Sequence, residues 1–501
     1  MVGLSRETTV VRIPLKSAKH HFGVSISRGS RPYNEDAYQA GVIEIPAFAR
    51  RVPVSLTRSP KASADGEGTS ADGASGDPQV FFFGVYDGHG GAECSGFLRE
   101  RLHRYVEETS KLFELQSSLK QEEQLSFDKT NSNNETVDEK ASTGSSPLEE
   151  SEIDAEDEAE GIAIDSELSE QFRSIQARAV NLERALVRQW NETVGGYFRR
   201  FRPRHFDLSA RPNNKPSSKE TTAVDINEGD EARVNIEAVM TYAFLKADLD
   251  FIMAQAGKEE DPVQADRALN DNEILGETSK LQGRPGGQKR FKGGSTCSVA
   301  MISTPTPTPF WNPSTPSTLV TSHVGDTRIL LCSTETGAAM SLTTNHHPSS
   351  PSEGQRLRRY AATFVTDSFG EERMSGLANT RAFGDIQSKR IGVSAEPEMQ
   401  RLDLKPAEFS FLVLVSDGIS GTLNDQEIVD VVKEARTPEQ GAKDVVSFAT
   451  EVSTEGDNAT CMVVRLGGWE RRSEGGLGAM GTRESRDWRR QEAADPRSRR
   501  T

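Results

Sequence analysis

The chain has 501 residues, of which 34% are hydrophobic and 27% charged, a balance too polar for one continuous core and suited to a domain interrupted by disordered insertions. A formal net charge of -16 argues against a nucleic-acid binder, which would show a basic face, and suits a protein that holds divalent cations. The four cysteines, Cys94, Cys297, Cys332 and Cys461, form no CxxC pair and read as small buried thiols of a reducing compartment.

From the N-terminus, residues 1–22 carry Arg6, Arg12, Lys16 and Lys19 against Glu7 as the only acid. They read either as a mitochondrial targeting segment or, around Val10–Ile13, as an edge strand; the cytoplasm is the alternative compartment. No continuous apolar block marks a secretory signal, and no run approaches the roughly 18 residues of a membrane span. Phe22–Ile26 is the first strand-length apolar run. A Gly/Ser/Asp-rich insertion, about 58–78, separates it from the strand Val80–Tyr86, and Gly91–Glu107 then follows a helical pattern. The next insertion, about 110–170, turns strongly acidic, with no Lys or Arg between Lys140 and Arg173. Leu168–Phe201 reads as a long helix with Ile175, Val180 and Leu186 on its apolar positions. After a polar segment at 207–230 comes an amphipathic helix, Val234–Met253, and after another at 257–292 the strand Cys297–Ile302. The Thr/Pro run 304–316 precedes strands at Leu319–Val324, Arg328–Cys332 and Phe411–Val415. Helix Asp425–Ala435 opens on acids and sets Ile428, Val431 and Val432 on one face, ahead of the strand Cys461–Leu466. Domain 1–467 ends there, and the tail 468–501 lacks apolar periodicity. Insertions and tail are expected to be disordered, because such compositions cannot offset chain entropy by burial. Several strands are apolar on both faces, which requires cover on both sides and points to two stacked sheets flanked by helices.

The acids fall where strands end. Phe81–Tyr86 runs into Asp87-Gly88-His89, Phe411–Val415 into Ser416-Asp417-Gly418, and Asp457-Asn458 precedes the last strand. Glu35-Asp36 follows Arg31-Pro32-Tyr33-Asn34 after the first. If neighbouring strands share an edge, four or five carboxylates converge there, and such a cluster needs a cation to hold it. An all-oxygen donor set fits magnesium or manganese better than zinc. Each Asp-Gly alone is more simply a turn, as Asp65-Gly66 and Asp72-Gly73 are; the ordered set carries the argument.

That set resembles the metal-dependent protein phosphatases of type 2C. The matching stretches, in the family's order, are Arg31-Pro-Tyr-Asn-Glu-Asp-Ala, Val85-Tyr-Asp-Gly-His-Gly-Gly, Gly293-Gly-Ser-Thr, Gly325-Asp-Thr-Arg, Asn345-His-His-Pro, Leu377-Ala-Asn-Thr-Arg-Ala-Phe-Gly-Asp, Ala395-Glu-Pro-Glu, Ser416-Asp-Gly-Ile and Gly456-Asp-Asn-Ala-Thr. The resemblance spans roughly residues 20–467 outside the insertions. It implies an α+β fold, a four-layer α-β-β-α sandwich of two antiparallel sheets. It further implies hydrolysis of phosphoserine and phosphothreonine in phosphoprotein substrates by a hydroxide shared between two Mn2+ or Mg2+ ions. On this resemblance Asp87 bridges both ions, the Gly88 carbonyl contacts one, and Asp417 and Asp457 hold the other. Glu35 and Asp36 act through bound waters, His89 is the general acid, and Arg31 grips the phosphate. A monomer with no nucleic-acid partner and no membrane span is expected.

Two departures bear on the site. Where relatives read Asp-Gly-Ile-Trp-Asp, this chain reads Asp417-Gly-Ile-Ser-Gly421, which leaves Asp326 and Asp417 as the only protein carboxylates for a third, weaker ion. The Ser416–Thr422 variant resembles a mitochondrial branch of the family, and the segment from Asp385 to Ala395 is shorter than in many relatives. Asp385 is expected near the site, Gly293-Gly294 is read as close backbone packing before a strand, and His346 and His347 as structural with positioning of the site as the alternative. A pseudophosphatase or scaffold using the acidic insertion for binding is the competing class, set against the presence of every two-metal residue. A two-metal nuclease is disfavoured by charge.

Overall fold

The computed structural model describes residues 21–50, 77–119, 154–208, 234–256, 291–358, 364–366, 372–374, 378–453, 456–473 and 478–494. The chain lays down β1 (Phe22–Ser27), β2 (Ala37–Ile43) and β3 (Val80–His89), then helices α1 (Glu93–Leu112), α2 (Asp154–Thr193) and α3 (Ile236–Ala256). Strands β4 (Gly294–Ser303), β5 (Ser317–Val324), β6 (Arg328–Ser333) and β7 (Ala339–Ser341) lead to α4 (Pro351–Arg358). A small hairpin of β8 (Phe364–Thr366) and β9 (Glu372–Met374) precedes β10 (Phe383–Gly384), β11 (Glu398–Leu404) and β12 (Phe409–Val415). The last elements are the short α5 (Asp417–Ser420), α6 (Asp425–Glu434), α7 (Pro438–Val452), β13 (Ala459–Arg465) and α8 (Gly478–Ala494).

One sheet has the order β1-β13-β12-β6-β7, the other β11-β5-β4-β3-β2 with β10 beside β4, and every pairing between these strands is antiparallel. Period-two alternation sorts each central strand between two cores. On β3, Phe82 and Tyr86 face helices α1 and α3, whereas Phe81, Phe83 and Val85 face the other sheet. On β12, Leu412 and Leu414 enter the space between sheets, while Phe411, Val413 and Val415 pack under α6 and α7. The result is the expected α+β sandwich of two antiparallel sheets flanked by helices. Each such side chain contributes about 1.5–3 kcal/mol by leaving water. Helix α6 starts on a capping box, with Asn424 accepting from Glu427 N and Glu427 reaching back to the Asn424 N–H, which satisfies donors the helix itself leaves open.

Several segments differ from their sequence reading. The run 304–316 is ordered, because it holds two aromatics: Phe310 is buried edge-on against Phe81 and Phe83, and Trp311 stacks on His21 at 4.1 Å. The insertion expected at 110–170 is shorter at both ends. Helix α1 continues to Leu112, Phe113 and Leu119 are buried, Ser118 bonds Ala47 and Ala49, and α2 begins at Asp154. Helix α3 is not amphipathic. It is buried nearly all round, with Val239, Phe244, Leu245 and Leu249 all enclosed, between α1, α2 and the sheet. The tail expected to be disordered instead buries Trp469 against Phe411 and forms α8, which lays Arg486 and Arg489 over the Phe448 ring. Arginine guanidinium groups supply the contact there, so no apolar stripe announced it. At the insertion edges, Asp77 accepts from Ala47 N, and Phe291 is buried beside Phe251. The remaining parts of 58–78, 207–230 and 257–292, and the Val10–Ile13 strand or targeting segment, lie outside the described residues.

Candidate metal centre

The antiparallel pairings place the acid-bearing strand ends on one edge of the sandwich. Val415, last in β12, pairs with both Cys461 near the start of β13 and Arg328 at the start of β6, so Asp417, Asp457 and Asp326 leave that edge together. In the second sheet, Asp87 pairs with Thr296 and Ala37 with Tyr86, which brings Asp87 and Asp36 to the same side. Ligand oxygens of Asp87, Asp326 and Asp417 lie within 4.8 Å of one another. The Asp417 N–H donates to Asp87 Oδ2 at 3.1 Å, locking β12 to β3 across the two sheets.

The surrounding residues explain how the cluster is held. Asp36 Oδ2 accepts from the Thr460 hydroxyl at 2.6 Å, while Asp36 Oδ1 is buried with no partner. Asn458 joins the Arg28–Glu35 loop to β13: its Nδ2 donates to Arg28 O and Tyr33 O, and its Oδ1 accepts from Glu35 N. Glu35 accepts from Gly91 N through Oε1. A Cβ at Gly88 would stand 2.4 Å from Glu35 O, so only glycine allows this approach. Asp326 accepts from Asn379 Nδ2 at 2.8 Å, and its turn is fixed by Gly325 N donating to His346 Nδ1.

Burial and crowding shift the titrations. Burial first, then the negative charge of Asp417, Asp36 and Asp326, pushes Asp87 well above the usual carboxylate range. Burial, then Asp326, lifts Asp417 to about 8. Burial also raises Asp36 to about 6, with the hydroxyls of Thr460 and Ser416 opposing it. A site that disfavours its own charges, offers only oxygens and leaves one buried carboxylate oxygen unpartnered fits a hard divalent cation.

His89 stands beside this cluster. Its Nε2 meets both Asp385 oxygens at 2.9 and 3.0 Å, with the ring 36% exposed and the carboxylate only 5%. Burial alone would lower the imidazole pKa, but the Asp385 hydrogen bond and charge outweigh it and raise it. Arg31 lies at the exposed rim, where its guanidinium meets Asp457 Oδ2 at 2.9 Å. A Cβ at Gly293 would stand 2.0 Å from His89 O, so this pair of glycines does serve close packing.

His346 is buried and holds the Asp326 turn through Gly325 N, and His347 is a half-buried turn residue bonded to Ser349. Sequence reading missed His323. With His346 and Glu398 it forms a second group of metal-type ligand atoms within 4.8 Å. The two rings stack at 4.8 Å and 17°, so their nitrogens point along parallel lines rather than at one ion. His323 Nε2 faces Gly325 O and Thr344 O, and Nδ1 faces Ser298 Oγ. This network braces the Gly325-Asp326 turn. Asn379 and Asn458 were likewise missed as partners of acids, and no spacing signal pointed to them.

Residues 235–458 match the sequence model described as Protein phosphatase 2C. Protein phosphatase 2C homolog 4 of Schizosaccharomyces pombe is 36% identical over 237 residues, covering 47% of this chain and 54% of that protein. Protein phosphatase 1K, mitochondrial, of Xenopus laevis is 38% identical over 152 residues, covering 30% of this chain and 40% of that protein. The chain thus spans about half the length or less of these curated relatives. Among solved structures, a serine-threonine phosphatase 2C from Toxoplasma gondii is 14% identical, with 89% of this chain and 94% of that chain covered and a TM-score of 0.44. The fold gathers at the ends of two sheets a group of carboxylates that could hold a metal ion. Residues 235–458 are thus similar to the protein phosphatase 2C family, within a chain that matches its relatives only in part.

Proposed function

We propose that the chain is a metal-dependent protein serine/threonine phosphatase acting on phosphoserine and phosphothreonine. The observation that carries this reading is the convergence of Asp87, Asp326 and Asp417 within 4.8 Å beside a histidine held by Asp385. Asp87, Asp417, Asp36 and Asp457, with the Gly88 carbonyl and Glu35, would hold two Mn2+ or Mg2+ ions. Asp326 reinforces the same cluster. When bound, such ions lower the pKa of water and draw charge from a phosphoryl group.

The chain's own residues do the rest. Arg31 offers a planar fork at the rim and would exchange Asp457 for two phosphate oxygens. His89, held by the Asp385 carboxylate, would donate a proton to the departing serine or threonine oxygen, a poor leaving group without one. No helix among the described residues is long and apolar enough to cross a membrane. Residence in mitochondria is supported by the Xenopus laevis relative of that name and is tested by fractionating cells that express the full chain.

Purified protein is assayed on phosphoserine and phosphothreonine peptides with Mn2+, with Mg2+ and with EDTA. Turnover that requires the cation is expected; undiminished turnover in EDTA overturns the reading. In the same assay His89→Gln should slow phosphoserine peptides about a hundredfold and an aryl phosphate far less, since a phenolate leaves readily unprotonated.

A further inference from the structure

Asp385 meets His89 from an unusual backbone. Its φ is +45°, directly after Gly384 at +73°, a left-handed region that a non-glycine residue rarely adopts. Such conformations persist only where the surroundings over-determine them. Three hydrogen bonds do so here: Asp385 N to Gly293 O at 2.9 Å, Ser388 N to Asp385 O at 2.8 Å, and Gly384 N to Asp248 Oδ1 at 2.8 Å.

Asp248 comes from the middle of α3, 136 residues from Gly384 in sequence. Its other oxygen, Oδ2, accepts from Lys389 Nζ at 2.5 Å, and the same ammonium donates to Ala382 O at 2.7 Å. Lys389 lies 6.0 Å from the centre of the Trp190 ring on α2. Both side chains are 0% exposed. A fully buried Lys–Asp pair is rare, and replacing one with apolar groups is often neutral or stabilising, so its presence is weak testimony to stability. Its geometry serves something else. Lys389 closes the end of the Ala382–Lys389 loop onto its start, and Asp248 grips the middle, at the peptide that delivers Asp385.

We propose that Asp248 and Lys389 are positioning residues, which hold the Ala382–Lys389 loop so that Asp385 presents its carboxylate to His89. The inference rests on the phosphatase reading for its consequence, proton donation by His89, but not for its geometry. The two are therefore tested separately.

The variant Asp248→Leu/Lys389→Met removes both charges together and keeps the site apolar and filled. Turnover of a phosphoserine peptide should fall about tenfold or more, while turnover of an aryl phosphate stays within about threefold, the pattern also expected of Asp385→Ala. Retained aryl phosphatase activity and melting temperature show that fold and cation centre survive. Equal losses on both substrates, or none, overturn the positioning role. If the double variant does not fold, the smaller apolar pair Asp248→Ala/Lys389→Leu, which likewise offers Gly384 N no acceptor and leaves no buried charge unpaired, is read by the same ratio. A crystal structure of whichever variant folds supplies the second readout. The Asp385 carboxylate should have left His89; an unchanged contact overturns the inference whether or not the protein hydrolyses phosphoesters. Absence of turnover by the unmodified protein would sink the phosphatase reading alone.

Discussion

Two buried polar centres of this molecule differ in one respect that separates structure from function. Around Glu353 on α4, the carboxylate is fully partnered by two guanidinium groups and a hydroxyl. One carboxylate oxygen accepts from Arg381, the other from Arg356 and the Thr380 hydroxyl, all between 2.6 and 3.1 Å. At the sheet edge, Asp36, Asp87, Asp326 and Asp417 repel one another, and a buried Asp36 oxygen has no partner. The titrations point in opposite directions for that reason. Burial would raise Glu353, but Arg381 and Arg356 hold it far below the usual range, whereas burial and neighbours both raise Asp87. A centre complete in itself belongs to the fold; a centre that needs a counter-ion belongs to the chemistry.

Neutralising one acid at each centre should therefore act with opposite signs. Asp417→Asn should reduce phosphoserine turnover by about a hundredfold or more, the scale on which losing one charge-stabilising group acts. In EDTA the same variant should melt higher than the unmodified chain, because a repulsion has been removed. A lower melting point in EDTA would break the comparison. Glu353→Ala should do the reverse, lowering stability by about 3–5 kcal/mol because two buried guanidinium groups lose their partner. Denaturant unfolding measures this, and a loss below about 1 kcal/mol would show that the arginines find other acceptors.

Acid sharpens the same contrast. A carboxylate whose folded pKa is depressed stabilises the fold above its unfolded pKa of about 4.5 and loses that contribution as pH falls further. The Glu353 contribution should thus be intact at pH 6 and fade steadily below about pH 4.5. Glu353→Gln should flatten this limb of the melting-temperature curve. An unchanged slope would assign acid lability to other groups.

How much of this was legible depends on distance along the chain. The strands ending in Asp87 and Asp417 stood out because both faces are buried, leaving unbroken apolar runs such as Phe81–Phe83 and Phe411–Val415. Edge strands β2 and β11 mix exposed positions such as Tyr38 and Arg401 with buried ones and gave no comparable run. The acids of the site were readable from strand ends, but their supports were not. Asn458 bonds Glu35 across 423 residues and His89 meets Asp385 across 296, separations that no local pattern encodes. Asp248 shares its helix with Glu237, Lys246 and Asp250 and was not distinguished from them, and α8 was concealed in a run of arginines whose guanidinium groups cover the Phe448 ring.

The smallest expected effect comes from adding an acid to the centre that already has too many. Gly421 follows the α5 turn with φ -75° and ψ -19°, a right-handed conformation open to any residue, so no backbone strain forbids a side chain. A Cβ there would stand 2.9 Å from the backbone oxygen of Asp417, closer than real contacts come, so the turn that carries Asp417 must shift to admit it. A hard cation takes about six oxygens, and waters must supply what the protein does not. With Gly421 contributing none, a third ion beyond the proposed pair should bind only at about millimolar concentration. Gly421→Asp should tighten that weakest step several-fold in calorimetric titration with Mn2+. In EDTA it should lower the melting temperature slightly, since it brings another negative charge to the same edge. Three tight steps in the unmodified protein would mean that another group already fills the place of the missing acid. An unchanged titration in the variant, with the fold intact, would mean that a side chain at residue 421 does not reach the ions at all.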